Sequence, residues 1–390
     1  MISADLLARV ACPVCLEAAG CPLCTDATGH KSCRERYAAR VGCACGGPDK
    51  VRLLAQGDVL ECRCCQARYP IHRDEGYVAL VPGQAVGEGT HYADHEFHER
   101  LGVTEAPPLL SAGIKFEWMR RLLELRPGDT VLDLGSGAGK FALACARAGL
   151  RATGVDVAPF FLPGAAKEVD LVVGDLRRLP FRKDSHPAAY SLDVLEHLDE
   201  AGVQEVLTEA RRVIGDSGRL LVYTHAMESS RLAVFQRGVN RLARRLGEKG
   251  WIDHEREAMR KSDHRNPLRS HEHFDTLCAQ SGLAVVSRRY YNVVAKAVVE
   301  DLGLRLYEQY RKKNKNTSVP AAPAQETPKS VAGAMPSTRM LAAGRVLTWL
   351  LRLDMALFGR VRTGPFFGLI RPRARAIPPV PAPPPLRETV

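Results

Sequence analysis

Residues 131–140 read VLDLGSGAGK, and the fold turns on this stretch. The lead-in of Thr130, Val131 and Leu132 is apolar and β-branched, which predicts a buried strand. Gly135, Gly137 and Gly139 follow, then a helical run, FALACARAG, that Gly149 stops. Strand, glycine turn and helix make a nucleotide-binding arrangement, because glycine lets the backbone approach a ligand and the helix N-terminus presents unpaired N–H groups to it. The dinucleotide fingerprint wants glycine at its first, third and sixth positions. Counting from Gly135 puts Lys140 at the sixth, which argues against NAD.

Working outward, a second strand, RATGVDV, carries Asp156 and Val157 at its end, and a third, VDLVVGDL, carries Asp175 and Leu176. Then comes AAYSLDVLEHL, with Asp193, Glu196 and His197 where a fourth strand passes into a helix. The spacing Asp133-x-Gly135-x-Gly137-x-Gly139, with these segments in register behind it, resembles motif I and its sequels in the small-molecule branch of class I S-adenosylmethionine (SAM) dependent methyltransferases. The resemblance implies a doubly wound, seven-stranded, mostly parallel α/β sheet of Rossmann-like type with SAM as cofactor. It implies that Asp133, Gly135, Ser136, Gly137 and Gly139 hold the loop and the methionine end of SAM. It further implies Asp156 and Val157 at the ribose, Asp175 and Leu176 at the adenine, Asp193 on the same rim, and Tyr92 closing the pocket. The plainer alternatives are that Asp133 caps loop N–H groups and that Asp156 is an ordinary turn residue. Family members usually start the fourth strand with an acidic residue, whereas PAAY stands here.

With 390 residues the chain can bury a large core and hold more than one domain. Its net charge of +11 favours an anionic partner: a phosphorylated substrate, RNA or a lipid surface. Ten of the twelve cysteines precede residue 66, so they form a local device and do not staple the whole protein. MISADLLARVACPVC lacks an apolar core long enough for a secretory signal, so a cytoplasmic location is expected, where paired cysteines more often hold metal than form disulfides.

Cys12-x2-Cys15, Cys21-x2-Cys24 and Cys62-x2-Cys65 have zinc-knuckle spacing, joined by Cys43-x-Cys45. Tetrahedral zinc needs four ligands, and tight turns supply them two at a time, so two Zn2+ sites are expected. The pairing expected is Cys43, Cys45, Cys62 and Cys65 at one site, and Cys12, Cys15, Cys21 and Cys24 at the other, with His30 or Cys33 competing. The segment ECRCCQARYPIHRDEGYVALVP resembles the zinc-ribbon leaders of some bacterial methyltransferases, an rRNA guanine methyltransferase branch among them. The metals could serve only to fold a small module, and an iron–sulfur cluster is a lesser alternative.

HYADHEFHERLG has helical spacing and reads as an exposed polar face, while IKFEWMRRLLELRPGD is an amphipathic helix ahead of the first strand. After the fifth strand, which ends at His225, AVVSRRYY and NVVAKAVVE are expected to finish the sheet as an antiparallel hairpin. Arginines flank the apolar stripe of RLAVFQRGVNRLARRLGEK in the intervening insertion, which fits a lid helix with a solvated face, an RNA-facing helix or an interfacial helix, the lid being the plainest. If the acceptor is a hydroxyl, a general base helps, and His197, His225 and His264 are the candidates. MLAAGRVLTWLLRLDMALFGRV is too interrupted to span a membrane; it reads either as an interfacial membrane helix or as a helix packed on the catalytic domain.

The expected organisation is a zinc-binding module (1–82), a linker and SAM-closing helix (83–110), a methyltransferase domain (111–303) with a substrate lid (226–270), a disordered linker (304–340), an amphipathic C-terminal segment (341–375) and a proline-rich tail (376–390). The expected acceptor is a small, glycan or lipid-like molecule methylated on oxygen or carbon, with peripheral contact at the inner membrane face as a further expectation. The alternatives are an rRNA base methyltransferase, supported by the zinc leader and the positive charge although the fourth-strand segment lacks the Asn/Asp-Pro-Pro-aromatic motif of many amino-group nucleic-acid methyltransferases, and a non-catalytic scaffold.

Overall fold

In the computed structural model the described residues are 3–17, 53–62, 65–81, 92, 94–230, 233–252, 262–265, 267–291, 295, 298–306, 309, 333 and 335–373. Among them eleven strands join in one sheet: β1 (Leu53–Gln56), β2 (Val59–Cys62), β3 (Arg68–His72), β4 (Tyr77–Ala79), β5 (Thr130–Leu134), β6 (Arg151–Asp156), β7 (Asp170–Val173), β8 (Ala188–Leu192), β9 (Arg219–His225), β10 (Leu283–Tyr290) and β11 (Pro365–Pro372). The helices are α1 (Ala4–Arg9), α2 (Pro13–Glu17), α3 (His95–Leu101), α4 (Leu110–Leu122), α5 (Lys140–Arg147), α6 (Pro163–Glu168), α7 (Glu200–Ile214), α8 (Ala233–Glu248), α9 (His271–Gln280) and α10 (Thr338–Phe358).

The spatial order is β1-β2-β3-β4-β7-β6-β5-β8-β9-β11-β10. From β7 to β10 this is the expected seven-stranded doubly wound sheet, parallel except for β11, which runs antiparallel to β9 and β10. Every side chain of β5 and β8 is buried, as strands covered on both faces must be. Strand order reverses between β5 and β8, whose carboxyl ends therefore open the crevice where such sheets bind ligands.

The structure departs from expectation at both ends of the chain. The expected hairpin partner of β10, NVVAKAVVE, supplies no strand among its described residues, and Val299–Leu304 are π-helical. The partner is β11, more than seventy positions later by sequence number, which slots between β9 and β10 with Phe367 opposite Tyr223 and Arg289. Phe366, Phe367 and Ile370 are fully buried there. Helix α10 packs on α4, and the Leu110 N–H donates to Thr348 Oγ1 at 2.8 Å. Residues 341–375 therefore belong in part to the catalytic core, because a strand that fills the gap between two others buries both of its faces.

The described residues of the stretch 1–82 are likewise built into the same sheet and core. β4 pairs in parallel with β7, Val10 bridges Phe181, and Leu6, Val10, Leu53, Leu60 and Ile71 share one apolar cluster with Leu132, Leu134 and Val172. Residues 310–332 of the linker expected over 304–340, and the whole tail expected over 376–390, lie outside the described residues.

Candidate functional site

The loop after β5 takes left-handed backbone at Gly135 (φ 80°), Gly137 (φ 52°) and Gly139 (φ 78°), which L side chains adopt only with strain. A Cβ at Gly135 would lie 2.5 Å from Val194 Cγ2 and one at Gly139 2.8 Å from Ala165 Cβ, whereas one at Gly137 would meet nothing within 4 Å. The outer two glycines thus let the loop lie against its neighbours, and the middle one faces open space.

Two carboxylates lie beneath this loop. Asp156 accepts the Gly137 N–H at 2.7 Å and the Ala158 N–H at 3.2 Å. Asp133 is buried with its Oδ2 lacking a hydrogen-bond partner, as is the Ser136 Oγ beside it. Burial, opposed by Tyr190 and reinforced by the charge of Asp156, pushes the Asp133 carboxyl up to about 8. Asp156 is raised as well, by burial that outweighs its loop N–H bonds. Two adjoining buried acids, with one Asp133 oxygen orphaned, favour a ligand that brings positive charge and hydroxyl donors, and SAM, a sulfonium nucleoside with an ammonium group, fits that donor set.

At the end of β7, Asp175 caps the turn Leu176–Arg178. Burial raises its carboxyl, but the Arg177 guanidinium at 2.7 Å outweighs this and holds it below the usual range. Leu176 is buried and Val157 follows Asp156 directly, on the same rim. Asp193, at the end of β8, has φ 57°, rare for a residue with a side chain. It pairs with Lys115, whose ammonium also sits 4.3 Å from the Tyr223 ring centroid. Lys115 escaped sequence reading; its signal was one cation inside the apolar face of α4.

The three candidate bases converge, although they lie in separate segments. His197 Nδ1 is 2.8 Å from Asp263 Oδ1, and its ring meets His264 edge-on at 4.6 Å and Tyr92 at 4.8 Å. His225 Nδ1 is 3.7 Å from Glu196 Oε1, while Glu196 Oε2 accepts the Thr224 hydroxyl at 3.0 Å. Burial, then the charge of His197, lower the His264 pKa despite neighbouring Glu196 and Asp263. Val194, three positions before His197, lies against Gly135 of the loop. Glu196 and Asp263 were not chosen from sequence, although each stands next to a histidine that was. His98, expected on an exposed polar face, is buried: its Nε2 lies 2.8 Å from the Tyr92 carbonyl oxygen. It lies near enough to Asp156 for their charges to interact.

The cysteines group otherwise than expected. Cys12, Cys15, Cys62 and Cys65 place their sulfurs within 4.8 Å of one another, with Cys12–Cys65 at 3.5 Å and Cys15–Cys62 at 3.7 Å. Tetrahedral zinc with Zn–S bonds of about 2.3 Å sets sulfur–sulfur edges of about 3.8 Å, so the four could hold one ion. The expected pairings, Cys43 and Cys45 with Cys62 and Cys65, and Cys21 and Cys24 with Cys12 and Cys15, are thereby corrected: packing of α1 against β1–β3 brings the first knuckle to the last. Cys21, Cys24, Cys43 and Cys45 lie outside the described residues.

Residues 132–222 match a family model described as a methyltransferase domain. The chain is 35% identical over 118 residues to a demethylmenaquinone methyltransferase of Mycobacterium tuberculosis, covering 29% of this chain and 50% of that protein. It is 29% identical over 110 residues to a sterol 4-C-methyltransferase of Caenorhabditis elegans, covering 26% and 32%. The chain thus spans half or less of the length of these curated relatives. A solved structure of Haemonchus contortus phosphoethanolamine N-methyltransferase 2 with SAM aligns over 74% of this chain and 61% of that one, at 13% identity and a TM-score of 0.44, too distant to add to the strand order itself.

Proposed function

We propose, from the match of residues 132–222 to a methyltransferase domain, that the chain is a SAM-dependent enzyme that methylates a small, lipid-like acceptor on oxygen or carbon, using a histidine as general base. The observation that carries this reading is the His197–Asp263 pair, with the His264 ring against His197.

In this reading the loop Gly135–Gly139, with Ser136, Asp133 and Asp193, holds the methionine end of SAM. Asp156 and Val157 hold the ribose, Asp175 and Leu176 the adenine edge, and Tyr92 closes the rim. SAM when bound supplies an electrophilic methyl group, so the chain itself must align the acceptor, exclude water and take one proton. The His197 Nδ1–H donates to Asp263, which fixes the tautomer and leaves Nε2 free to accept that proton. The lowered pKa of His264 keeps a second ring neutral beside it. The named acceptors of the relatives, a sterol and demethylmenaquinone, are apolar molecules, which supports a lipid-like substrate. The Cys12, Cys15, Cys62 and Cys65 cluster is assigned one structural zinc ion.

The test is methyl transfer from labelled SAM to fractionated extract by wild type, His197→Asn and Asp263→Asn. Label is expected in the lipid or metabolite fraction, with turnover down roughly 10²- to 10⁴-fold in His197→Asn and SAM affinity unchanged. Near-normal turnover of both variants would remove the base; label in RNA would replace the substrate class.

A further inference from the structure

The sequence left two readings of the C-terminal helix, packing on the domain or lying in a membrane interface, and the structure gives each reading one face. The inner face of α10 buries Thr348, Leu351, Asp354 and Met355. Its close seating shows at Gly113, where a Cβ would come 3.2 Å from Thr348 Cγ2, and at Gly344, where one would come 2.9 Å from Leu109 Cδ1.

The outer face is apolar and uncovered. Val346 is 64% exposed, Trp349 58%, Leu350 39%, Leu353 46% and Leu357 64%. Steps of three and four place these five on one stripe of a helix. An apolar stripe of this length facing water is a cost unless something covers it.

The charge around the stripe says what that is. From 338 to 373 the chain carries seven arginines and one acidic residue, Asp354, which is buried on the inner face. Arg345 and Arg360 are exposed at the two ends of the stripe, and Arg352 lies along its edge, held by Glu117 at 2.7 Å. A second copy seated on this face would bring arginine rows together, and Glu117, the acid at its edge, is already engaged by Arg352. No described helix is long and apolar enough to cross a membrane.

We propose that the outer face of α10 is an interfacial membrane anchor, laying Val346, Trp349, Leu350, Leu353 and Leu357 into the headgroup boundary of an anionic lipid surface while its arginines meet the lipid phosphates. The inner face holds the catalytic sheet against that surface. This assignment stands independently of the methyl acceptor.

The test is flotation of the full-length protein with vesicles of phosphatidylglycerol and phosphatidylcholine, and with phosphatidylcholine alone. The comparison is with the double variant Trp349→Glu, Leu353→Glu, two exposed positions outside the site, whose fold is checked by thermal melting and SAM binding. Wild type is expected to float with the anionic vesicles, less so as salt rises, and the variant to be recovered at least about tenfold less. Equal recovery of the two proteins, or no flotation of wild type, would overturn the proposal. So would a wild-type particle of twice the chain mass that the variant converts to monomer, since a second copy would then cover the stripe. The single variant Arg345→Glu, with the apolar stripe intact, should lose part of the anionic preference; if its preference is unchanged, the headgroup contact is wrong.

Discussion

The two sides of the central sheet were assembled in different ways. From β5 through β9, each strand follows its predecessor within one helix and one turn, and the glycine loop, Asp156 and Asp175 recur at each strand end. Beyond that stretch the sheet is extended by chain from far away: β4 is laid beside β7 from the cysteine-rich head, and β11 is inserted between β9 and β10 from the C-terminal segment. Local connections close at small entropic cost and leave periodic signals, whereas distant ones are decided by which apolar surfaces remain to be covered.

The sharpest way to break this contrast is to remove residues 335–390. β9 and β10 would lose the strand between them, and with it the burial of Phe366, Phe367, Leu369 and Ile370. At about 1.5–3 kcal/mol for each large apolar side chain, that loss rivals the roughly 5–15 kcal/mol stability of a whole domain. The expected outcome is insoluble protein or loss of the cooperative melt. A soluble, cooperatively melting truncated chain would show β11 to be dispensable and the catalytic core to be contiguous.

At the opposite edge, Cys62→Ser should lower bound zinc by about one ion per chain and cost several kcal/mol, since structural zinc supplies folding energy directly. Metal analysis and thermal melting check it. If Cys43→Ser, and not Cys62→Ser, releases zinc, the grouping seen here is wrong.

Within the contiguous half, Gly137→Ala separates ligand from scaffold. The position is left-handed but faces open space, so stability should fall by only about 1–2 kcal/mol. SAM affinity, measured by calorimetry, should fall about tenfold or more, because the added methyl group occupies the cradle. Gly135→Ala, pressed against Val194, should lose more stability than Gly137→Ala. Unchanged SAM affinity in Gly137→Ala would move the ligand away from this loop.

A further effect is read in pH. His186 sits where the N-terminal segment docks, its ring meeting Phe181 at 4.9 Å. Burial, then the charge of Arg9, lower its pKa to about 3. Its neutral form is favoured in the folded chain, so its contribution is complete above the unfolded histidine pKa of about 6.5 and is lost as pH falls toward 3, at about 1.4 kcal/mol per pH unit. His186→Gln should flatten the fall of stability with acidification by that one proton. Identical slopes would mean that His186 is not shielded by the docked head.

Within the site, what could be read in advance followed the same division. Asp133, Gly135, Gly137, Gly139 and Asp156 lie where the motif spacing puts them, because strand, turn and helix are set by neighbours a few positions away. His197, His225 and His264 were each legible as candidates, but nothing in the chain order places them side by side. Asp263 and Lys115 went unread because their roles exist only against His197 and Asp193, from which they are separated by whole elements. His98 was misjudged because helical spacing shows a face and not what covers it.

The sequence by itself determined the doubly wound half of the sheet, its glycine loop and the acidic strand ends, since short-range sterics and hydrophobic period suffice for a strand–turn–helix unit. Only the tertiary structure decided which cysteines meet, where the last strand comes from, which histidine gains a carboxylate, and that α10 has one buried and one bare face. Those outcomes depend on burial shared between segments about fifty to more than two hundred residues apart, and no local pattern records with which partner a surface will be buried.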